Sequence, residues 1–276
     1  VIDCDYESLE PHCFASVTGD KKLQEIFNNG LDFYSYVAIQ TENLNEQRSR
    51  FPNGVSADKK ADNYLKKLDV VARNKAKAYS LGVAYGMEAF ALKMTLGVDQ
   101  KTAEELIKGY LNGFPQLKEW RENSRLQVKA HGWIKNHVGR IRHLPKVHKI
   151  YAKYQDQFLD WRFRKNLEPQ YGRAQVLQVY RDFRNGLNNC LNFQLQSLAA
   201  SVVNRAAVQI NRKAKELGID ALVQAQVHDQ LIINIAEEDA ERFAPYVQEL
   251  MENTTKLKGV TLKAPPEIAN NWQEGH

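Results

Sequence analysis

Residues 221–235, ALVQAQVHDQLIINI, decide the fold. Branched residues fill both arms, and His228-Asp229 interrupts them, which spells strand, tight turn, strand. Beyond this hairpin the pattern predicts a helix over 237–254 and a last strand near 259–264. Before it, QLQSLAASVVNRAAVQINRKAKE (194–216) is rich in Ala and free of Gly, so a long packed helix is expected there. The other end of the chain, VIDCDYESLEPH (1–12), reads as a short strand over 1–6 leading into a helix from Glu10 to Val17. Strands at both termini with helices between them imply an α+β fold, its antiparallel sheet assembled from both chain ends.

The middle of the chain is helical punctuation. Gly19-Asp20 predicts a turn before a helix at 21–28, and Phe51-Pro52-Asn53-Gly54 is a clear break. From Ala57 to about Gly86 the pattern is helical, with Tyr64, Leu65, Leu68, Val71 and Ala72 sharing a side. Asp99 is a good N-cap for a helix ending near Asn112-Gly113, and Pro115 opens another that runs to Gly132.

Composition excludes little and localises much. No apolar run approaches the roughly 18 to 20 residues that span a bilayer, and no signal peptide is visible. Cys4, Cys13 and Cys190 lack metal-ligand spacing and read as free thiols of a reducing cytosol. The net charge of +5 is concentrated: Lys135–Asn185 holds twelve Lys or Arg against four Asp or Glu. Tyr151, Tyr154, Phe158, Trp161, Phe163, Tyr171, Tyr180 and Phe183 are interleaved with those cations. That mixture suits a phosphate backbone and stacked bases, and equally a solvated helix with an aromatic core face.

Two acids stand out by position. Asp5 ends the first strand and Asp229 lies at the hairpin tip, so pairing of the chain ends would bring them together. Two carboxylates about 4 Å apart repel by roughly 4 kcal/mol at an effective dielectric near 20. Such a pair shares a proton or binds a cation, and Mg²⁺ accepts one or two carboxylates with phosphate and water completing its shell. Acids at turn tips are more often simply solvated. A third group is RNKAKAYSLGVAYGM (73–87), where Arg73, Lys77, Leu81 and Tyr85 form a stripe that begins basic and ends apolar. It could hold a triphosphate at one end and a sugar and base at the other; an ordinary amphipathic helix has the same spacing.

Together these pieces resemble the family A DNA polymerases. DYESLEPH resembles that family's first polymerase motif, RNKAKAYSLGVAYG its Arg-x3-Lys-x7-Tyr-Gly fingers motif, and QVHDQ its third, usually Gln-Val-His-Asp-Glu. GRIRHLP, NFQLQSLAA and the ending NNWQEGH fall in the family's order. The resemblance implies a palm and fingers, with segments at 1–26 (palm), 27–150 (fingers), 151–183 (a basic, aromatic insertion) and 184–276 (palm). It implies that Asp5 and Asp229, helped by the Tyr6 carbonyl, bind two Mg²⁺ or Mn²⁺ ions that activate the primer 3′-hydroxyl and stabilise the departing pyrophosphate. Arg73 and Lys77 would grip the triphosphate of a deoxynucleoside triphosphate, and Glu10 and Tyr85 would exclude a 2′-hydroxyl. Arg140, Asn192, Gln196 and His228 would touch primer-template DNA.

The departures carry expectations too. Leu81 stands where the family usually has Phe or Tyr, similar to a phage-encoded subset, and implies altered discrimination against nucleotides lacking a 3′-hydroxyl. Gln230 replaces the usual Glu, which implies weaker metal binding, and Tyr34 and Asn188 stand where His and Arg are commoner. Val1 falls inside the first motif, so thumb and exonuclease-like regions are expected upstream, in the same or a second chain. The implied activity is DNA-templated nucleotidyl transfer in replication or repair, in the cytoplasm (of a bacterial host, if phage-encoded). A DNA-binding module that has lost activity and a metal-dependent nuclease are the alternatives; the first does not need the Arg73-Lys77-Tyr85 set, and the second leaves it unexplained.

Overall fold

The computed structural model describes residues 1–41 and 49–274, in two compact units. One comprises Val1–Asn28 and Leu195–His276; the other comprises Asn29–Gln194.

The first unit is built on a four-stranded antiparallel sheet. Strand β1 (Ile2–Asp5) is followed by helices α1 (Leu9–Thr18) and α2 (Lys21–Asn28). Strands β4 (Ala221–Val227) and β5 (Gln230–Ile235) form the expected hairpin, and β6 (Pro266–Ile268) completes the order β4-β5-β1-β6. Both chain ends therefore meet in one sheet, because β1 is a largely buried strand paired with β5 on one side and β6 on the other. Helix α12 (Glu237–Asn253) buries Phe243, Val247 and Met251.

The last strand is not where alternation placed it. Val260, Leu262 and Ala264 are buried in turn, as the pattern requires. Their stretch forms no strand, because its polar groups bond elsewhere: Glu7 N donates to Lys263 O at 2.9 Å and Ala264 N to Glu252 Oε1 at 3.1 Å. The strand is Pro266–Ile268, on the sheet edge, where a proline without an N–H is tolerated.

The second unit is mainly helical, with α3 (Phe33–Thr41), a short turn of helix α4 (Leu65–Leu68), α5 (Val70–Ala84), α6 (Ala89–Leu96), α7 (Gln100–Gly113) and α8 (Pro115–His131). A chain of rings, Phe33, Phe114, Tyr110 and Tyr79, packs α3, α5 and α7 with centroids 5.2–6.1 Å apart. Asp99 caps α7 by accepting from Thr102 N at 3.0 Å.

The helix expected from Ala57 starts only at Leu65 and is broken at Asp69, whose side chain caps α5 by accepting from Ala72 N at 2.8 Å. The buried side is accordingly Ala76, Tyr79, Ser80, Val83 and Ala84, while Leu68 and Val71 are exposed. The small hairpin β2 (Trp133–Lys135) and β3 (Ile141–His143) precedes α9 (Pro145–Tyr154), a 3-10 turn (Gln155–Leu159) and α10 (Trp161–Tyr171). Helix α11 (Arg173–Leu217) runs for 45 residues and starts well before the Ala-rich run.

Much of the aromatic content of the basic stretch is structural. Phe158 and Phe183 join Val128, Ile134, Val147, Leu187, Cys190 and Leu191 in one core. Tyr154 stacks on Phe158 at 4.9 Å, and the Arg164 guanidinium lies 3.7 Å from the Tyr180 ring. These rings are committed within the protein, although Trp161 stays largely exposed. No helix among the described residues is long and apolar enough to cross a membrane.

Candidate active site

The acidic centre lies in the first unit. Asp5, at the exposed end of β1, is the cross-strand partner of Gln230, the first residue of β5. Asp229 is the residue before it, half-buried in the turn, and His228 beside it is exposed with a left-handed φ of 55°. Antiparallel register thus brings Asp5 to the end of the hairpin that carries Asp229. A second left-handed residue, Ser8 (φ 57°), turns the chain from β1 into α1 and sets Glu10 in the first helical turn.

Buried thiols register the field of this acidic end. Burial pushes Cys13 up to about 12, and the negative charges of Glu10 and Asp229 add to that rise. Cys4 rises to about 12 by burial first, then through Asp3, Glu252 and Asp5. Glu10 and Asp229 therefore act on one thiol, and Asp3 and Asp5 on another. Cys4, Cys13 and Cys190 are free and buried, as expected of reduced structural thiols.

Tyr6 is fixed by its hydroxyl, which donates to Met251 O at 2.6 Å. Gln230, expected only to lack a charge, has a definite partner. Its Nε2 lies 2.8 and 2.7 Å from the two carboxylate oxygens of Asp3, which is 3 % exposed. Asp3 is thus a buried carboxylate on the same face as Asp5.

Among the described residues no three His, Cys, Asp or Glu side chains cluster as a metal cage. Two carboxylates and a neighbouring backbone carbonyl are an all-oxygen donor set. That suits Mg²⁺, which dehydrates reluctantly and takes few protein ligands, so the residues present fit this ion.

The cationic stripe lies in the second unit. Arg73, Lys77 and Leu81 are on α5, with Tyr85 as its C-cap, all less buried than the Ala76–Val83 side. Lys77 is exposed. Arg73 donates from Nε to Asp32 Oδ2 at 2.6 Å and from Nη2 to Asp32 Oδ1 at 3.0 Å. Both cations face one ring: the Arg73 Cζ and Lys77 Nζ lie 5.2 and 5.7 Å from the Tyr34 centroid. Asp32 was absent from the residues expected in the site, although Asp32-x-x-Ser35 before a helical run is an N-cap signal.

Gly86 follows Tyr85 at φ 98°, and a Cβ there would fall 2.3 Å from Asn188 Oδ1 and 2.8 Å from Arg125 Nη2. Those two groups are hydrogen-bonded at 3.0 Å. Of the residues expected to touch DNA, Arg140 is exposed where the β2–β3 turn closes on the Asn136 side chain. Gln196 is exposed on α11, and Asn192 buries an Oδ1 that has no hydrogen-bond partner.

The profile of DNA polymerase family A matches residues 1–274. DNA polymerase I of Bacillus caldotenax is 25% identical over 274 residues, covering 99% of this chain and 26% of that protein. The Pseudomonas aeruginosa DNA polymerase I is 26% identical over 276 residues, covering 100% and 25%. The chain spans about a quarter of the length of these curated relatives. Among solved structures, the POL domain of Pol1 from M. smegmatis, in complex with DNA primer-template and dNTP, is similar with a TM-score of 0.74 at 23% identity, covering 99% of this chain and 40% of that one.

Proposed function

Because the chain belongs to DNA polymerase family A, we propose that it carries out DNA-templated nucleotidyl transfer as the palm and fingers of a DNA polymerase. The observation that carries this reading is the register Asp5↔Gln230, which sets Asp5 at the end of the hairpin bearing Asp229. Palm segments at 1–26 and 184–276 supply the two acids, fingers at 27–150 the cationic stripe, and 151–183 is an insertion.

Asp5, Asp229 and the Tyr6 carbonyl would hold two Mg²⁺ ions, with Mn²⁺ as a substitute. Bound there, the ions supply Lewis acidity to the primer 3′-hydroxyl and the leaving pyrophosphate. The protein's own groups do the rest. Arg73 and Lys77 take the charge that a loose phosphoryl transition state spreads over its non-bridging oxygens. Glu10 and Tyr85 close the sugar's 2′ side, and Leu81 lies under the incoming base without stacking on it. Arg140, Asn192, Gln196 and His228 hold primer-template DNA.

Primer extension with Mg²⁺ and four deoxynucleotides tests this reading. The chain is expected to extend the primer, and Asp229→Ala to slow extension by at least about a thousandfold, the worth of roughly 4 kcal/mol of barrier. DNA binding without extension would identify a binding module, and primer shortening a nuclease.

A further inference from the structure

Arg73 is held in place before any ligand arrives, and the holding group is specific. Asp32 receives two hydrogen bonds from its guanidinium, one from Ser35 Oγ at 2.5 Å and one from Tyr64 OH at 3.0 Å. Ser35 N adds a longer one at 3.3 Å. The carboxylate is 5 % exposed, so a loosely placed partner could not keep it charged. A guanidinium has five N–H donors in a rigid fork, of which Asp32 takes two. The Tyr64 hydroxyl also contacts the guanidinium, and the Arg73 side chain keeps 16 % exposure on which to meet a second oxyanion. The short segment Asp32-Phe33-Tyr34-Ser35 also supplies the ring that both Arg73 and Lys77 overlie, which eases the crowding of two cations one helical turn apart.

We propose that Asp32, braced by Ser35 and Tyr64, is a positioning residue: it fixes the Arg73 guanidinium with its exposed edge presented to the triphosphate of the incoming nucleotide. This rests on the reading of Arg73 and Lys77 as the triphosphate grip. Asp32 itself touches no substrate. Its effect is to pre-set a fork whose rotamers would otherwise have to be ordered at each binding event. Ser35 and Tyr64 act one step further out, by holding the carboxylate that holds the arginine.

The test compares the 276-residue chain with Asp32→Asn, Asp32→Glu, Ser35→Ala and Tyr64→Phe. Three quantities are measured for each: thermal melting, the Kd for primer-template DNA, and the deoxynucleotide KM and kcat. Displacement of a fluorescent deoxynucleoside triphosphate analogue, read without catalysis, gives nucleotide affinity separately. Asp32→Asn is expected to raise KM and the displacement constant by about tenfold to a hundredfold, with DNA affinity unchanged. Asp32→Glu should recover part of that loss, and Tyr64→Phe should reproduce a smaller part of it while melting like the wild type.

Nucleotide affinity unchanged in Asp32→Asn and Tyr64→Phe would overturn the proposal and leave the polymerase reading standing. So would DNA affinity falling in parallel with nucleotide affinity. A wild-type chain that binds the triphosphate but extends no primer, with binding weakened in Asp32→Asn, would retain the positioning role and refute the polymerase. No triphosphate binding by the wild type would overturn both.

Discussion

Gln230 shows how one side chain carries information that a motif comparison reads only as a missing charge. Its amide is bound to both oxygens of the buried Asp3 carboxylate, so a glutamate here would meet an acid and not a donor. Gln230→Glu replaces a charge-assisted hydrogen bond by two carboxylates in contact, and should cost about 3 kcal/mol in urea unfolding. Adding Asp3→Asn restores one donor and one acceptor, and most of the loss should return in the double variant. Equal stability of Gln230→Glu and wild type would show that the Asp3 contact is worth nothing. The reason Asp3 escaped sequence reading is that alternation reports only which face it is on. Its partner sits 227 positions away.

At the scale of elements, local chemistry predicted what local chemistry decides. The Asp99 cap, Pro115 at a helix start and the branched arms about His228-Asp229 each act within a few residues, and each lies where it was expected. Two of the misplaced boundaries depend on distant neighbours. Residues 260–264 alternate in burial like a strand, but strand formation needs a free partner edge, and their groups are bonded to Glu7 and Glu252 instead. Helix α11 runs through Gly186, a residue that normally weakens a helix. Packing explains it: a Cβ at Gly186 would fall 2.2 Å from Val147 Cγ2.

Gly86 is the stronger case, since φ of 98° and the Asn188–Arg125 pair both exclude a side chain. Gly86→Ala should destabilise the protein by about 2 kcal/mol or more, through backbone strain and the displaced pair. A melting temperature within a degree of wild type would mean that the turn after Tyr85 is freer than its contacts indicate. The candidate site was legible in the same measure. Asp5, Glu10, Asp229, Arg73, Lys77 and Tyr85 follow from motifs, whereas Asp32 required knowing that the N-cap of α3 reaches Arg73 on α5.

At the scale of the molecule, the candidate residues fall in two compact units. The acids belong to the unit that joins both chain ends in one sheet, and the cationic stripe to the unit formed by the residues between. The sheet is what makes the chain ends cooperate, since β1 and β5 come from residues more than 220 positions apart and meet in register. If Asp5 and Asp229 serve one reaction through shared ions, they must fail as a unit. The deciding measurement is therefore a double-variant cycle on the primer-extension rate with Asp5→Asn, Asp229→Asn and the pair, in Mg²⁺. The expected result is that either single variant loses nearly as much as the double, because removing one ligand already empties the function of the other. Losses that multiply across the two positions, or a single variant that extends primers at the wild-type rate, would contradict a shared catalytic centre at this end of the sheet.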